Sequence, residues 1–142
     1  MILLDTNVVS EPLRPRPDAA VIAWIDAQPV ETLFLSAIVV AELRFGVAAL
    51  PAGKRRKRLN EDLEQQVLPL FIGRVLPFDL MVTQAYAVMM AKARSAGVAV
   101  GNSDGYIAAI AATHGLTVAT RDTAPFAAFG LKVIDPWKSP AS

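Results

Sequence analysis

The chain has 142 residues, 54% of them hydrophobic, and a formal net charge of +1, which fits one ordinary domain with a generous core and leaves no global basic field to draw nucleic acid. The absence of cysteine excludes disulfides, thiolate chemistry and zinc–sulfur sites. No apolar run reaches the roughly 18 residues of a membrane span, and the start, Met1-Ile2-Leu3-Leu4-Asp5, lacks the basic region of a secretory signal, so a cytoplasmic location is expected.

Met1–Leu4 is an apolar run cut off by an acid, the pattern of a short central parallel strand. Thr6–Glu11 is expected to turn, with Pro12, Pro15 and Pro17 interrupting regular structure. Asp18–Gln28 is expected to be helical, with Val21, Ile22, Trp24 and Ile25 on its apolar side. Thr32–Leu35 predicts a second strand, and Ser36 suits the cap of a helix over Ala37–Leu50. Beyond Pro51 and Gly53, Leu59, Leu63 and Val67 recur at four-residue steps, predicting one helix across Lys54–Leu68. Val75-Leu76-Pro77-Phe78 reads as a short strand weakened by its proline. Asp79–Ala96 is the longest helical pattern, ended by Gly97. Asp104–His114 is a further helix closed by Gly115, Thr117–Ala119 a strand, and Lys132–Ile134 a last strand after a short helix that follows Asp122. Strands and helices alternate, which predicts an α/β fold: a three-layer α/β/α sandwich around a central, mostly parallel sheet. With no repeat or linker, residues 1–137 are expected to form a single domain and 138–142 a short C-terminal tail.

Four carboxylates stand where the apolar runs break off. Asp5 follows Ile2-Leu3-Leu4, Glu42 interrupts Ile38-Val39-Val40-Ala41, Asp104 precedes Ile107-Ala108-Ala109-Ile110, and Asp122 follows Thr117-Val118-Ala119-Thr120. In a strand–helix alternation such positions collect at one edge of a parallel sheet, where ligands of open α/β folds bind. Three of the acids also have a structural use: Asp5 suits a cap of the following turn, and Asp104 and Asp122 stand where helix caps are expected. Glu42 has none. Its neighbours at three and four residues are Ile38, Val39, Phe45 and Gly46, an apolar stripe on which an unpaired carboxylate is costly to bury. If the four converge within about 5 Å, each pair repels by roughly 3 kcal/mol at an effective dielectric near 20, and the total approaches roughly 20 kcal/mol before screening.

Mg²⁺ or Mn²⁺ relieves that repulsion and suits an all-oxygen site. The sole histidine, His114, falls at the far end of its helix, which disfavours zinc and histidine general-base chemistry. Carboxylate-held Mg²⁺ serves phosphate chemistry, and the economical reaction is hydrolysis of a phosphodiester. Thr6 and Asn7, next to Asp5, and Ser103, next to Asp104, are candidates to orient a carboxylate, a water or a phosphate oxygen, with turn and cap roles as the alternative. The basic run Lys54-Arg55-Arg56-Lys57-Arg58 is either a solvated helix face or a nucleic-acid or partner contact. Lys57 and Arg58 precede Glu61 and Asp62 by four residues, which favours the first.

Several of these segments resemble the motifs of PIN-domain proteins: Leu3-Leu4-Asp5-Thr6-Asn7 their start, Ser36-Ala37-Ile38-Val39-Val40-Ala41-Glu42-Leu43 their second acidic motif, Asp104-Gly105-Tyr106-Ile107-Ala108-Ala109-Ile110-Ala111 the third and Val118-Ala119-Thr120-Arg121-Asp122 the fourth. Asp135-Pro136-Trp137 resembles the usual ending. Each motif is weak alone; in this order, over residues 1 to 137, they are specific, and the branch they look most like is the VapC-type toxins of bacterial toxin–antitoxin pairs, in particular the FitB-like group. The resemblance implies a PIN-like fold and a Mg²⁺- or Mn²⁺-dependent ribonuclease. Asp5, Glu42, Asp104 and Asp122 would form its acidic cluster, with Asp5 and Asp104 the first candidates for direct ligation. It also implies an RNA substrate, commonly a structured one such as tRNA or rRNA, homodimerisation, and a small antitoxin that blocks the site. Gly105 departs from the larger residues common at its position and is expected to loosen the start of its helix.

Other readings fare less well. A haloacid-dehalogenase-like phosphatase requires a second aspartate two residues after the first, where this chain has Asn7. A receiver domain requires paired acids at the first strand end and a late lysine, neither of which is evident. The serious rival is a catalytically weak PIN-like module that binds RNA or a partner, supported by the basic run and the apolar surplus.

Overall fold

The computed structural model describes residues 1–138; the expected tail beyond Lys138 lies outside the described residues. Five strands, β1 (Ile2–Leu4), β2 (Leu33–Ser36), β3 (Val75–Leu76), β4 (Thr117–Ala119) and β5 (Val133–Ile134), form one sheet in the order β3-β2-β1-β4-β5, and every pairing is parallel. Helices α1 (Thr6–Ser10), α2 (Ala19–Ala27), α3 (Ala37–Ala48), α4 (Lys54–Glu61), α5 (Leu80–Ser95), α6 (Asn102–His114) and α7 (Thr123–Ala128) flank it. The chain winds outward from β1 to β3, then returns to the other side of β1 for β4 and β5. The winding therefore reverses between β1 and β4, and a crevice opens there at the carboxyl ends of the strands. Pro77 is tolerated because β3 is an edge strand that ends before it.

Leu3, Leu4, Leu35, Val118 and Ala119 are buried in the sheet, and Ile107 through Ala111 are buried on α6. A helix apolar all round must be enclosed, and its alanines let neighbouring elements come close. Helix α5 packs against α6 through Tyr86, stacked on Tyr106 at 4.9 Å between ring centroids, with the edge of Phe78 on Tyr106 at the same distance. Gly105 belongs to this seam: a Cβ there would stand 2.7 Å from Met90 Sδ and 3.1 Å from Tyr86 Cε2. Its missing side chain admits α5, and it sits inside α6 rather than at a loosened start. Gly115, at φ 65°, ends α6 in the left-handed region, and its N–H returns to the Ala111 and Ala112 carbonyls.

Three further expectations change. Thr6–Glu11 is helical rather than a turn, because Asp5 caps α1 through the Thr6 N–H. The single helix expected over Lys54–Leu68 is α4 followed by a π-helical turn over Asp62–Val67 and a 3₁₀ turn over Leu68–Phe71; Leu63 is fully buried and Pro69 cannot continue the backbone ladder. Helix α6 begins at Asn102, so Asp104 lies in its first turn and is not its cap.

Candidate active site

Strand register sets the first contact. Leu4 pairs with Ala119, and the Asp5 N–H donates to the Ala119 carbonyl at 2.9 Å, so Asp5 and Thr120 leave the two central strands side by side. Asp5 is 5% exposed and Thr120 fully buried. Asp5 Oδ1 accepts from the Thr6 N–H at 2.8 Å, and Oδ2 accepts from Thr120 Oγ1 at 2.8 Å. The same Thr120 oxygen accepts from Asn7 Nδ2 at 3.3 Å and from the Asp122 N–H at 3.0 Å. Asn7 Oδ1 in turn accepts from the Arg121 N–H at 3.2 Å. Thr120 therefore ties Asp5, Asn7 and Asp122 together, although only its place in the fourth motif hinted at a role.

Ser36 caps α3 by accepting from the Val39 N–H at 3.1 Å, which starts the helix that carries Glu42. Glu42 Oε1 accepts from Thr6 Oγ1 at 3.0 Å, so Thr6 links the Asp5 and Glu42 motifs. Glu42 is half-buried at the rim of the crevice, not enclosed as its apolar neighbours in sequence suggest; Phe45, on the same stripe, is 73% exposed. Asp104 is half-buried, and Asp122 is exposed at the start of α7 without capping it through its side chain. Ser103 is half-buried beside Asp104 and, among the described residues, makes no side-chain hydrogen bond. His114 is exposed at the end of α6, away from these groups.

The acids share one electrostatic field. Burial pushes the Asp104 carboxyl above the usual carboxylate range, and the charges of Asp5, Asp122 and Glu42 push it further. Burial also raises Asp5; the hydrogen bonds from Thr120 and Thr6 oppose that, and the Asp122 charge adds to it. Among the described residues no cation forms an ion pair with these acids: the ion pairs are Arg14–Glu11 and Arg44–Glu64. Arg121, next in sequence to Asp122, lays its guanidinium over the Trp137 ring at 5.1 Å from the centroid. This donor set is all oxygen, negatively charged and unpaired, which fits a hard divalent cation. It is not a ready-made cage: among the described residues no three acidic or histidine side chains stand close enough to hold an ion. The repulsion reckoned for acids about 5 Å apart is thus an upper bound, because donors from Thr6 and Thr120 hold Asp5 and Glu42 in their own places.

The PIN domain family model matches residues 2–131. Over 138 residues the chain is 61% identical to the VapC ribonuclease Y4jK of Sinorhizobium fredii, covering 97% of this chain and 99% of that protein. It is 56% identical to the toxin FitB of Neisseria gonorrhoeae over 96% of this chain and 99% of that one. The crystal structure of FitAcB from Neisseria gonorrhoeae superposes with a TM-score of 0.95 at 55% identity, covering 98% of this chain and all of that one. By motif order, sheet topology and sequence, the chain belongs to the PIN domain family.

Proposed function

We propose that the chain is the toxin of a toxin–antitoxin pair, a Mg²⁺- or Mn²⁺-dependent ribonuclease that hydrolyses RNA phosphodiester bonds at Asp5, Glu42, Asp104 and Asp122. The observation that carries the reading is the common field of these acids, felt by Asp104 from three others, with no ion pair to any of the four among the described residues. Relatives over nearly the full length named as a VapC ribonuclease and a toxin support it. A bound dication supplies Lewis-acid stabilisation of phosphoryl oxygens and a more acidic water. The chain's own part is to hold the ligands. Thr120 and the Thr6 N–H each fix one Asp5 oxygen, Thr6 Oγ1 fixes one Glu42 oxygen, and Asp104 has the raised proton affinity expected of an acid awaiting a cation.

A nuclease made inside the cell that carries its own RNA requires a neutralising partner, so a small antitoxin that covers the crevice is part of the reading. So is a homodimer. Helix α5 exposes Leu80 (86%), Met81 (59%) and Val88 (68%), apolar surface suited to a second copy. The direct test incubates the chain, purified free of partners, with RNA and Mg²⁺ or Mn²⁺. Cleavage abolished by EDTA and by Asp5→Asn supports the nuclease. RNA retention without cleavage, indifferent to both, favours a binding module instead.

A further inference from the structure

A groove of about 420 Å³ is lined by Thr6 and Glu42 of the candidate site together with Arg14 and Arg55. A second hollow of about 470 Å³ shares Arg14 and Arg55 with it and adds Arg58. Leu13, Pro15 and Leu59 also line both, so the two hollows adjoin, with apolar residues and three guanidiniums in their combined lining. Asp62 is the single acid in the lining of the second hollow. The arginines come from separate segments, Arg14 from the turn after α1 and Arg55 and Arg58 from α4.

Two details set these arginines apart from ordinary surface charge. Glu11 is 3% exposed; its Oε1 accepts from Arg14 Nη1 at 3.2 Å, while its buried Oε2 has no hydrogen-bond partner among the described residues. Arg14 itself is 63% exposed. A buried carboxylate thus grips one edge of a guanidinium whose other donors remain open. On α4, the pairs expected of a solvated face, Lys57 with Glu61 and Arg58 with Asp62, are absent from the ion pairs of the described residues.

We propose that this pair of hollows is the track of the RNA strand beside the scissile phosphodiester, with Arg14, Arg55 and Arg58 holding the flanking phosphates and Glu11 positioning Arg14. The proposal rests on the ribonuclease reading. An acidic centre repels a polyanion, and net charge near neutral gives no long-range attraction, so the grip must be local. Arginine forks match phosphate oxygens in pairs, and the apolar lining accepts the apolar faces of sugars and bases. Charge complementarity selects this occupant over an apolar peptide.

The test is fluorescence anisotropy of a labelled single-stranded RNA of about twelve nucleotides, in EDTA so that nothing is cut, across a KCl series. For single strands each phosphate contact makes affinity fall roughly 2.6-fold between about 50 and 200 mM salt. The Arg55→Gln/Arg58→Gln variant is expected to remove roughly sevenfold of that salt dependence, and Arg14→Gln in addition roughly eighteenfold in all. Arg14→Lys, which keeps a cation on Glu11, is expected to retain its share and covers the case in which Arg14→Gln unfolds the chain. Lys57→Gln, on α4 but outside both linings, is expected to change the slope little. On cleaved RNA the arginine variants are expected to raise KM with kcat nearly unchanged. An unaltered salt slope overturns the proposal, as does an equal loss from Lys57→Gln. Intact RNA binding combined with lost antitoxin binding gives the groove to a protein partner and overturns it too. Because binding is read without metal, a wild-type chain that fails to cleave RNA counts against the nuclease reading and not against the arginine track.

Discussion

Asp5 Oδ2 accepts a 2.8 Å hydrogen bond from Thr120 Oγ1, joining the residues that follow the two central strands, at the point where the winding of the sheet reverses. The Thr120 hydroxyl has one proton and two lone pairs. The proton goes to Asp5 and the lone pairs to Asn7 and the Asp122 backbone, so a single buried oxygen holds parts of the first and fourth acidic motifs in register.

Thr120→Val keeps the shape and removes that oxygen. It leaves Asp5 Oδ2, Asn7 Nδ2 and the Asp122 N–H without their partner, and a buried group left unsatisfied costs about 1–3 kcal/mol. Urea denaturation is expected to show a loss in that range, with RNA cleavage falling as well. The Thr120 bond lowers the Asp5 pKa, so its removal moves that pKa further up. Thr120→Ser, which restores the hydroxyl, is expected to recover most of both. Unchanged stability in Thr120→Val would mean that water replaces the hydroxyl without penalty.

What was legible in the chain divides along physical lines. Short-range signals survived: the apolar run before Asp5 made β1, Ser36 capped α3, and Gly97 and Gly115 ended α5 and α6. Thr120 needed register, because its neighbour Asp5 is 115 residues away and no local pattern states that pairing. The break after α4 was hidden for a related reason. A four-residue apolar stripe looks the same whether the backbone continues as an α-helix or widens into a π turn, and packing around Leu63 decides which. The apolar neighbours of Glu42 in sequence predict a buried acid, but Phe45 on that stripe faces solvent, so an apolar sequence face does not mark an enclosed one.

The pH dependence of the metal-free fold follows from Asp104. Its pKa is raised by burial and then by Asp5, Asp122 and Glu42. A carboxyl with a higher pKa folded than unfolded binds its proton more tightly when folded. Its contribution to stability is therefore largest at low pH and is lost as pH rises from the unfolded value, about 3.9, through the raised folded one. Asp104→Asn stays neutral throughout. At pH 7, without metal, it is expected to melt above the wild type, with the gap closing toward pH 4. Solvent screening at a half-buried group holds the effect to about 1 kcal/mol or less, roughly 2–4 °C in a domain of this size. A lower Tm for Asp104→Asn would instead give that carboxylate a stabilising partner.

Metal should reverse that balance. A ligand that binds only the folded state at about 100 times its Kd stabilises by about 2.7 kcal/mol, and here it would also relieve the repulsion among the acids. Saturating Mg²⁺ or Mn²⁺ is expected to raise the wild-type Tm by several degrees, Ca²⁺-free and at fixed ionic strength, while Asp5→Asn and Asp104→Asn respond weakly. Glu42→Gln keeps an oxygen for the Thr6 hydroxyl, so its metal-free stability should stay within about 0.5 kcal/mol of wild type while cleavage is lost. Equal metal shifts in all four proteins would place the cation elsewhere.

The α5–α6 seam bears on the site because Gly105 follows Asp104 directly. Gly105→Ala gains helix propensity of about 1 kcal/mol, yet its methyl must displace Met90 Sδ from 2.7 Å and crowd the Tyr86 ring at 3.1 Å. Met90 is unbranched and can swing aside; Tyr86 is stacked on Tyr106 and has less room. Overpacking a buried seam costs about 1–3 kcal/mol, so the net change is expected to be a loss of up to about 2 kcal/mol in urea denaturation. In a Met90→Ala background the nearest obstacle is gone, and the same substitution is expected to be neutral or stabilising. That change of sign between backgrounds is the mark of a steric seam. A Gly105→Ala variant that is already stabilised with Met90 in place would show that α5 yields freely, and that the glycine is not needed for the close approach of α5 to the helix carrying Asp104.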